Sequence, residues 1–262
     1  MSDGTGVRPV ARWLALAYGV AVYVLFLGTI AYMAGFVADV GVPKTVDSGA
    51  TGPAAAAVLV NLGLVGLFGL QHSVMARPGF KRWWRQLVPE PVERSTYVLF
   101  ASLALLILFA LWRPLPAEIW SVEHAAGRAA LWGLYVAGWV VVVTSTYAID
   151  ARDLSGLGQV RAFYRDEEYE PPEFQTPGPY RLVRHPLQAG FLLVFWATPR
   201  MTAGHLLLAG AVTLYVLIGL RLEERDLTEA FGERYRRYRR ETPMLVPGLG
   251  KRRRRDAGRP DR

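Results

Sequence analysis

Four long apolar segments without a charged residue constrain this 262-residue chain more than any other feature. They cover residues 13–36, 53–75, 95–112 and 129–149. About 20 helical residues, rising ~1.5 Å each, cross the ~30 Å hydrocarbon core of a membrane. The segments are continuously apolar and do not alternate, which excludes the strands of a transmembrane barrel. The sequence therefore predicts an all-α, polytopic integral membrane protein with four full transmembrane helices.

A fifth apolar region differs from these four because it is divided. Residues 186–199 allow only ~21 Å of helix before Pro199-Arg200, and a second apolar run covers residues 205–220. This pattern predicts a C-terminal helical hairpin, either two spans with a short first leg or a partly inserted re-entrant pair. The second helix is predicted to continue as an interfacial amphipathic helix over residues 222–243.

The residue composition removes several kinds of chemistry. Without cysteine the chain forms no disulfide, no cysteine-ligated metal site and no thiol nucleophile. The four histidines, at positions 72, 124, 185 and 205, are too dispersed for a His-rich site, so we expect no metal. A net charge of +8 is compatible with nucleic-acid binding, but the basic residues flank the apolar segments. Basic residues in such positions orient a membrane protein in the bilayer. We therefore expect no nucleic-acid partner.

Basic residues are distributed unequally between the two predicted sides of the membrane. With a cytoplasmic N-terminus, 26 of the 30 Lys and Arg residues fall on the cytoplasmic side. The four on the outer side are Lys44, Arg113, Arg128 and Arg200. Because basic residues favour the cytoplasmic side, both termini are predicted to be cytoplasmic.

The sequence divides into three parts on this layout. Residues 1–149 form transmembrane helices one to four, and residues 150–250 form a cytoplasmic loop, the hairpin and the amphipathic helix. Residues 251–262 (KRRRRDAGRPDR) form a disordered basic tail that orients the chain and contacts anionic lipid. The sequence leaves the oligomeric state open.

Two charged stretches flank the predicted hairpin on its cytoplasmic side. In the first, residues 176–190 (TPGPYRLVRHPLQAG), Arg184 and His185 stand just before a helix that Pro186 is suited to begin. The free N–H groups of a helix N-terminus and an arginine side chain both favour a bound carboxylate. The alternative is a basic flank that holds lipid phosphate and fixes the orientation of the chain.

The second charged stretch places a carboxylate on an apolar helix face. At 100° per residue, Glu224 interrupts the face and Glu223 lies at its edge. The apolar members of the face are Leu217, Leu220, Leu227, Phe231, Tyr235 and Tyr238. Since burying an unpaired carboxylate is costly, Glu224 is predicted to be paired or functional. The alternative is an ordinary ion pair with Arg184, Arg221 or Arg225.

Two smaller groups of polar residues lie at the ends of the second and fourth segments, on the same side. His72 ends the second segment, and its alternative interpretation is a histidine within a basic and aromatic interfacial belt. Tyr147 and Asp150 end the fourth segment, together with Asp153. Acidic residues at a helix C-terminus are electrostatically unfavourable, which favours a functional interpretation over simple capping.

The C-terminal half resembles the signature of the isoprenylcysteine carboxyl methyltransferase family. It carries GPYxxxRHPxxxG from Gly178 to Gly190, then the apolar hairpin, then EExxLxxxFGxxYxxY from Glu223 to Tyr238. Other motifs are similar to those of the bacterial methanethiol S-methyltransferase branch: HSVMARPxFKRWW from His72, ERSTYVL from Glu93 and FWATPxMTAGHL from Phe195. The chain departs from these patterns at three positions. It has Gln188 where the family has Tyr, and Ala151 and Gly158 where the branch has His and Arg.

This resemblance implies an enzyme that uses S-adenosyl-L-methionine in a bacterial inner membrane, with lipid around it. It implies that residues 150–250 are the cofactor-binding catalytic part. The cofactor site implied is formed by Tyr180, Arg184, His185, Pro186, Gly190, Glu223, Glu224 and Tyr235. The acceptor implied is a small thiol, methanethiol, which becomes dimethyl sulfide, and His72, Tyr147 and Asp150 are the candidates that favour its thiolate. Two alternatives remain. One is a methyltransferase for a lipophilic acceptor, such as a prenylcysteine carboxylate or a phospholipid, and the other is a non-enzymatic membrane accessory protein.

Overall fold

A computed structural model of the protein describes residues 9–170 and 174–249. Its helices are α1 (Pro9–Ala38), α2 (Ala54–Met75), α3 (Pro78–Trp84), α4 (Glu93–Leu111), α5 (Ala125–Ala148), α6 (Ala151–Leu154), α7 (Leu157–Arg165), α8 (Pro186–Trp196) and α9 (Ala203–Glu241). Single 3₁₀ turns cover Glu90–Val92 and Gly178–Arg181, and two short strands are β1 (Glu118–Ser121) and β2 (Arg200–Thr202). The predicted basic tail, residues 251–262, lies outside the described residues.

Five of these helices are long and apolar enough to cross a membrane: α1, α2, α4 with the turn before it, α5 and α9. The first four correspond to the predicted spans 13–36, 53–75, 95–112 and 129–149, which are confirmed. The protein is therefore an all-α polytopic membrane protein. Its packed centre contains Phe36 of α1, Phe109 of α4, Tyr135 of α5 and Val194 of α8.

The divided fifth region forms the predicted hairpin, with α8 as its short leg. The eleven residues of α8 rise only about 16 Å, and the irregular segment from Ala197 to Pro199 leads into β2. Within a membrane every backbone polar group needs an internal partner. His205, buried in the first turn of α9, supplies one, because its Nε2 lies 2.9 Å from the carbonyl oxygen of Phe195 near the end of α8.

A small antiparallel pairing of β1 with β2 closes the far end of this hairpin. The backbone N–H of Val122 donates to the carbonyl of Pro199 at 2.8 Å, and that of Ala203 donates to Ala117 at 2.7 Å. Neither strand is predicted from the sequence, because segments of four and three residues are too short to display an alternating pattern. The pairing joins the loop between α4 and α5 to the turn of the hairpin.

The predicted amphipathic helix over residues 222–243 is interrupted near its middle. Gly232 has φ 55° and ψ −128°, so the helical path is broken there and resumes in a new direction up to Glu241. The prediction of one continuous face through Phe231, Tyr235 and Tyr238 is therefore wrong. Glycine adopts a positive φ without the steric penalty of a side chain, which explains why the break falls at this residue. The last segment of α9 turns back toward the start of α8.

Candidate active site

A buried cluster of charges joins the start of α8 to α9. The Nε of Arg184 donates to Oε1 of Glu224 at 2.6 Å, and Nε2 of His185 lies 3.2 Å from the same oxygen. Beyond the break at Gly232, Nε of Arg239 lies 3.3 Å from Oε2 of Glu224. The side chains of Arg184 and Glu224 are only 9% and 8% exposed. Glu224 is thus paired, which is one of the two outcomes predicted for a carboxylate on an apolar helix face.

Backbone hydrogen bonds hold this cluster in place. The N–H groups of Arg184 and His185 donate to the carbonyls of Pro243 and Met244, at 2.9 and 3.1 Å. Nη1 of Arg184 also donates to the carbonyl oxygens of Thr242 and Arg239. The segment after α9 therefore lies beside the start of α8, where His185 is the N-cap and buried Pro186 is the first helical residue.

An aromatic group covers the charge cluster. Phe174 packs against Tyr235 and Tyr238 with ring centroids 5.8 and 5.7 Å apart. The hydroxyl of Tyr238 donates to the carbonyl oxygen of Tyr180. Tyr235 is only 1% exposed, and its hydroxyl has no hydrogen-bond partner among the residues that the structure describes. A buried, unpaired hydroxyl is costly to leave unsatisfied, so this hydroxyl is available to a ligand group that binds here.

Glu223 and Tyr180 are the more accessible polar groups of the site. The Glu223 side chain is 47% exposed, and its Oε2 lies 3.9 Å from Nδ1 of His185. Burial raises the pKa of the Tyr180 hydroxyl, and the negative charge of Glu223 raises it further. Tyr180 therefore stays protonated at neutral pH and can donate a hydrogen bond.

Two further sequence-derived positions lie on α8. Gly190 is buried against α5, where a Cβ atom would come within 2.8 Å of the carbonyl oxygen of Gly138 and 3.0 Å of the backbone nitrogen of Val142. This close approach requires glycine whether or not a ligand binds, so helix packing accounts for Gly190. Gln188 is part-exposed, two residues into the same helix.

His72 lies in a different group of side chains, between α2, α4 and α9. The hydroxyl oxygen of Tyr97 is 2.9 Å from Nδ1 and 3.0 Å from Nε2 of His72. Phe68 stacks on the imidazole at 5.3 Å, and Tyr215 meets Phe68 edge-on. His72 is among the candidates predicted from the sequence, whereas Tyr97 and Tyr215 are not, although Tyr97 lies within the ERSTYVL motif.

The structure does not bring Tyr147 and Asp150 to His72. Tyr147 is 70% exposed on α5. Asp150 has φ 76° and caps α6 by accepting a hydrogen bond from the N–H of Arg152 at 3.0 Å. Burial raises the pKa of Asp150, but the hydrogen bonds and charge of Arg152 outweigh it, so the net pKa is lowered. A carboxylate with a lowered pKa is a weak base at neutral pH, and capping accounts for this residue.

The charge cluster and the aromatic group beside it also include residues that are not predicted from the sequence. Arg239 contacts Glu224 only because the break at Gly232 reverses the end of α9. Phe174 reaches the aromatic group from the loop before α8, and Arg234 Nη2 donates to its carbonyl at 2.8 Å. Neither contact has a local sequence signal, because both depend on the direction of the chain after position 232.

Comparison with known proteins places the chain among membrane methyltransferases. The Phospholipid methyltransferase family matches residues 130–234. Methanethiol S-methyltransferase of Mycobacterium tuberculosis is 54% identical over 90% of this chain and 97% of its own length. Methanethiol S-methyltransferase of Crocosphaera subtropica is 47% identical, covering 92% of this chain and 94% of its own.

A third relative, Methanethiol S-methyltransferase 1 of Bradyrhizobium diazoefficiens, is 51% identical over 93% of this chain and 85% of its own length. No solved structure matches the chain. The likeness to the named relatives extends through the N-terminal helices as well as the charged cluster, and it agrees with the two-part motif around α8 and α9. The chain is a methyltransferase and belongs to the methanethiol S-methyltransferase family.

Proposed function

We propose that the protein transfers a methyl group from S-adenosyl-L-methionine to methanethiol and releases dimethyl sulfide. The observation that carries this proposal is the buried charge cluster of Arg184, His185 and Glu224 beside the unpaired hydroxyl of Tyr235. The acceptor is suggested by the relatives, which are methanethiol S-methyltransferases. This chain matches them over nearly their whole length.

The residues of the cluster fit the charges of S-adenosyl-L-methionine. Its amino acid part carries a carboxylate and an ammonium, which require groups of both signs. His185 and the α8 N-terminus at Pro186 are suited to the carboxylate, and the half-exposed Glu223 is suited to the ammonium. The Tyr235 and Tyr180 hydroxyls supply hydrogen bonds to the cofactor. The ion pair of Arg184 with Glu224 stabilises the site. When bound, the cofactor supplies an electrophilic methyl group to a thiolate sulfur, and the electron pair of the broken bond stays on the departing thioether.

A membrane site suits the two substrates. Methanethiol and dimethyl sulfide are small and apolar and partition into the bilayer, whereas the charged cofactor reaches the protein from the cytosol. We therefore propose an inner-membrane protein with both termini and the charge cluster on the cytoplasmic side. A lipophilic acceptor remains the second candidate, because the family match to residues 130–234 is described as a phospholipid methyltransferase.

Formation of dimethyl sulfide tests the proposed reaction. We expect membranes containing the protein, given S-adenosyl-L-methionine and methanethiol, to release dimethyl sulfide, and we expect the rate to rise with pH as the thiol ionises. Headspace gas analysis measures the product, and empty-vector membranes are the control. Farnesylcysteine and a phosphatidylethanolamine are offered as rival acceptors. Methylation of either one without any dimethyl sulfide would contradict the proposal and favour the lipophilic acceptor.

Cysteine labelling tests the proposed orientation, and the cysteine-free chain needs no background removal. We expect Thr51→Cys and Glu123→Cys to react with a membrane-impermeant maleimide in intact cells, because the basic-residue distribution puts both loops outside. Gln86→Cys and Arg165→Cys should react only after permeabilisation. All four positions are exposed. The opposite labelling pattern would reverse the orientation and move the charge cluster to the outer side.

A further inference from the structure

A group of polar and aromatic side chains lies where three membrane helices meet, apart from the charge cluster. It consists of Phe68 and His72 of α2, Tyr97 of α4 and Tyr215 of α9, and we name it the His72 pocket. All four residues are part-exposed. Polar side chains inside membrane helices are costly, and they commonly mark a functional site.

Hydrogen bonding inside the His72 pocket is incomplete. Both ring nitrogens of His72 lie within 3.0 Å of one oxygen, the Tyr97 hydroxyl. That hydroxyl also lies 3.2 Å from the backbone carbonyl of His72, to which it can donate. A neutral imidazole has one N–H donor and one acceptor nitrogen, and a single hydroxyl cannot satisfy both while also donating to the carbonyl. The pocket therefore holds more hydrogen-bonding capacity than its own residues use.

The charges nearest the pocket are predominantly positive. The guanidinium carbon of Arg94 lies 5.4 Å from the centroid of the Tyr97 ring. Burial, and then the positive charge of Arg94, lower the pKa of Lys81 on α3. Among the acidic residues on this side, Glu93 accepts from Arg85 at 2.7 Å, Asp153 accepts from Tyr169, and Asp226 pairs with Arg77 at 2.8 Å. Glu223 lies two turns along α9 from Tyr215.

We propose that the His72 pocket binds the acceptor thiol and stabilises it as a thiolate, with His72 and Tyr97 donating hydrogen bonds to sulfur. This inference rests on the proposed function. On ionisation the S–H bond breaks, the sulfur keeps the electron pair and the proton passes to water. The aromatic rings of Phe68 and Tyr215 contact the methyl group, and Arg94 favours the negative sulfur.

The positive surroundings assign His72 the role of a hydrogen-bond donor. An imidazole that accepted the thiol proton would become a second cation near Arg94, inside an apolar region, which is unfavourable. A thiolate near the same cation is favoured. Simple alkyl thiols ionise above the ~8.5 of cysteine, so a pocket that stabilises the anion raises the reactive fraction at neutral pH.

Removal of the hydroxyl at Tyr97 tests the inference. We expect Tyr97→Phe to lower kcat/KM for methanethiol about ten- to a hundredfold, as loss of a hydrogen bond to a charged group would. With trifluoroethanethiol, a more acidic thiol, the loss of kcat/KM should be about threefold or less, because its thiolate needs less stabilisation by the protein. Affinity for S-adenosyl-L-methionine should not change. Tyr18→Phe is the matched control, since it removes another part-buried hydroxyl. The Tyr18 hydroxyl lies 2.9 Å from Oγ1 of Thr96 and joins α1 to α4.

A spectroscopic measurement tests the same point without turnover. The chain has no cysteine, so any S–H stretching band in the infrared spectrum belongs to the added thiol. With S-adenosylhomocysteine bound, no methyl transfer occurs. We expect methanethiol bound to the wild type and to Tyr18→Phe to lose the S–H band, and methanethiol with His72→Phe or Tyr97→Phe to keep it.

The outcomes separate this inference from the proposed function. Equal losses on the two thiols for Tyr97→Phe, or an S–H band that persists in the wild type, would overturn the thiolate pocket. If the wild type forms dimethyl sulfide but the pocket variants match Tyr18→Phe, only the pocket fails. If the wild type forms no dimethyl sulfide, the proposed function fails, while the S–H band still reports whether the pocket ionises a thiol.

Discussion

Glu224→Ala is expected to lower the free energy of unfolding by about 3 to 5 kcal/mol, because it leaves buried positive charge without its partner. Glu224 accepts from Arg184 at 2.6 Å and lies within 3.3 Å of both His185 and Arg239. Denaturant or thermal unfolding in detergent measures the loss. Glu229→Ala is the matched control, since Glu229 forms an exposed pair with Arg225 on the same helix and should change stability by less than about 1 kcal/mol.

A double variant separates the structural part of this effect from the ligand-binding part. Replacement of a buried ion pair by apolar residues is often neutral for stability. We expect Arg184→Leu combined with Glu224→Leu to regain most of the stability lost by Glu224→Ala. Affinity for S-adenosyl-L-methionine should stay at least ~10-fold weaker than in the wild type, because the charges that support His185 and Glu223 are gone. Recovery of both stability and affinity would mean that the pair contributes nothing to the cofactor site.

The membrane architecture could be predicted from the sequence because hydropathy acts along the chain. Each of the four predicted spans is an uninterrupted apolar segment, and each forms a helix in the structure. The short first leg of the hairpin was predicted for the same reason, since Pro199 and Arg200 end the apolar run. Arg184, His185 and Glu224 were selected by charge type and motif spacing, and the structure brings these three together.

Contacts between helices were less predictable, because they depend on chain direction and helix rotation. Helical periodicity predicts that the apolar face of α9 continues to Tyr235. It contains no signal for the break at Gly232, so the contact of Arg239 with Glu224 is not predicted. Tyr97 faces His72 only because α4 lies beside α2. Tyr147 was selected by its position at a helix end, and the rotation of α5 leaves it exposed. A single sequence specifies none of these rotations locally.

Gly190→Ala is expected to separate α8 from α5 and to weaken cofactor binding from a distance. A Cβ atom at Gly190 would lie 2.8 Å from the Gly138 carbonyl oxygen and 2.9 Å from Cγ2 of Val142. Backbone cannot rotate away as a side chain can, so relief requires movement of the whole helix. Overpacking of this kind costs about 1 to 3 kcal/mol, and unfolding in detergent measures it.

The position of His185 connects this packing to function. Four residues, a little more than one helical turn, separate Pro186 from Gly190, so displacement of α8 shifts the N-cap His185 relative to Glu224 on α9. We therefore expect Gly190→Ala to reduce affinity for S-adenosyl-L-methionine by about tenfold, since ~1.4 kcal/mol corresponds to that change. Gly133→Ala is the matched control on α5, because a Cβ atom there meets nothing within 4 Å. Equal behaviour of the two variants would mean that the α5–α8 contact tolerates a methyl group and does not set the position of the site.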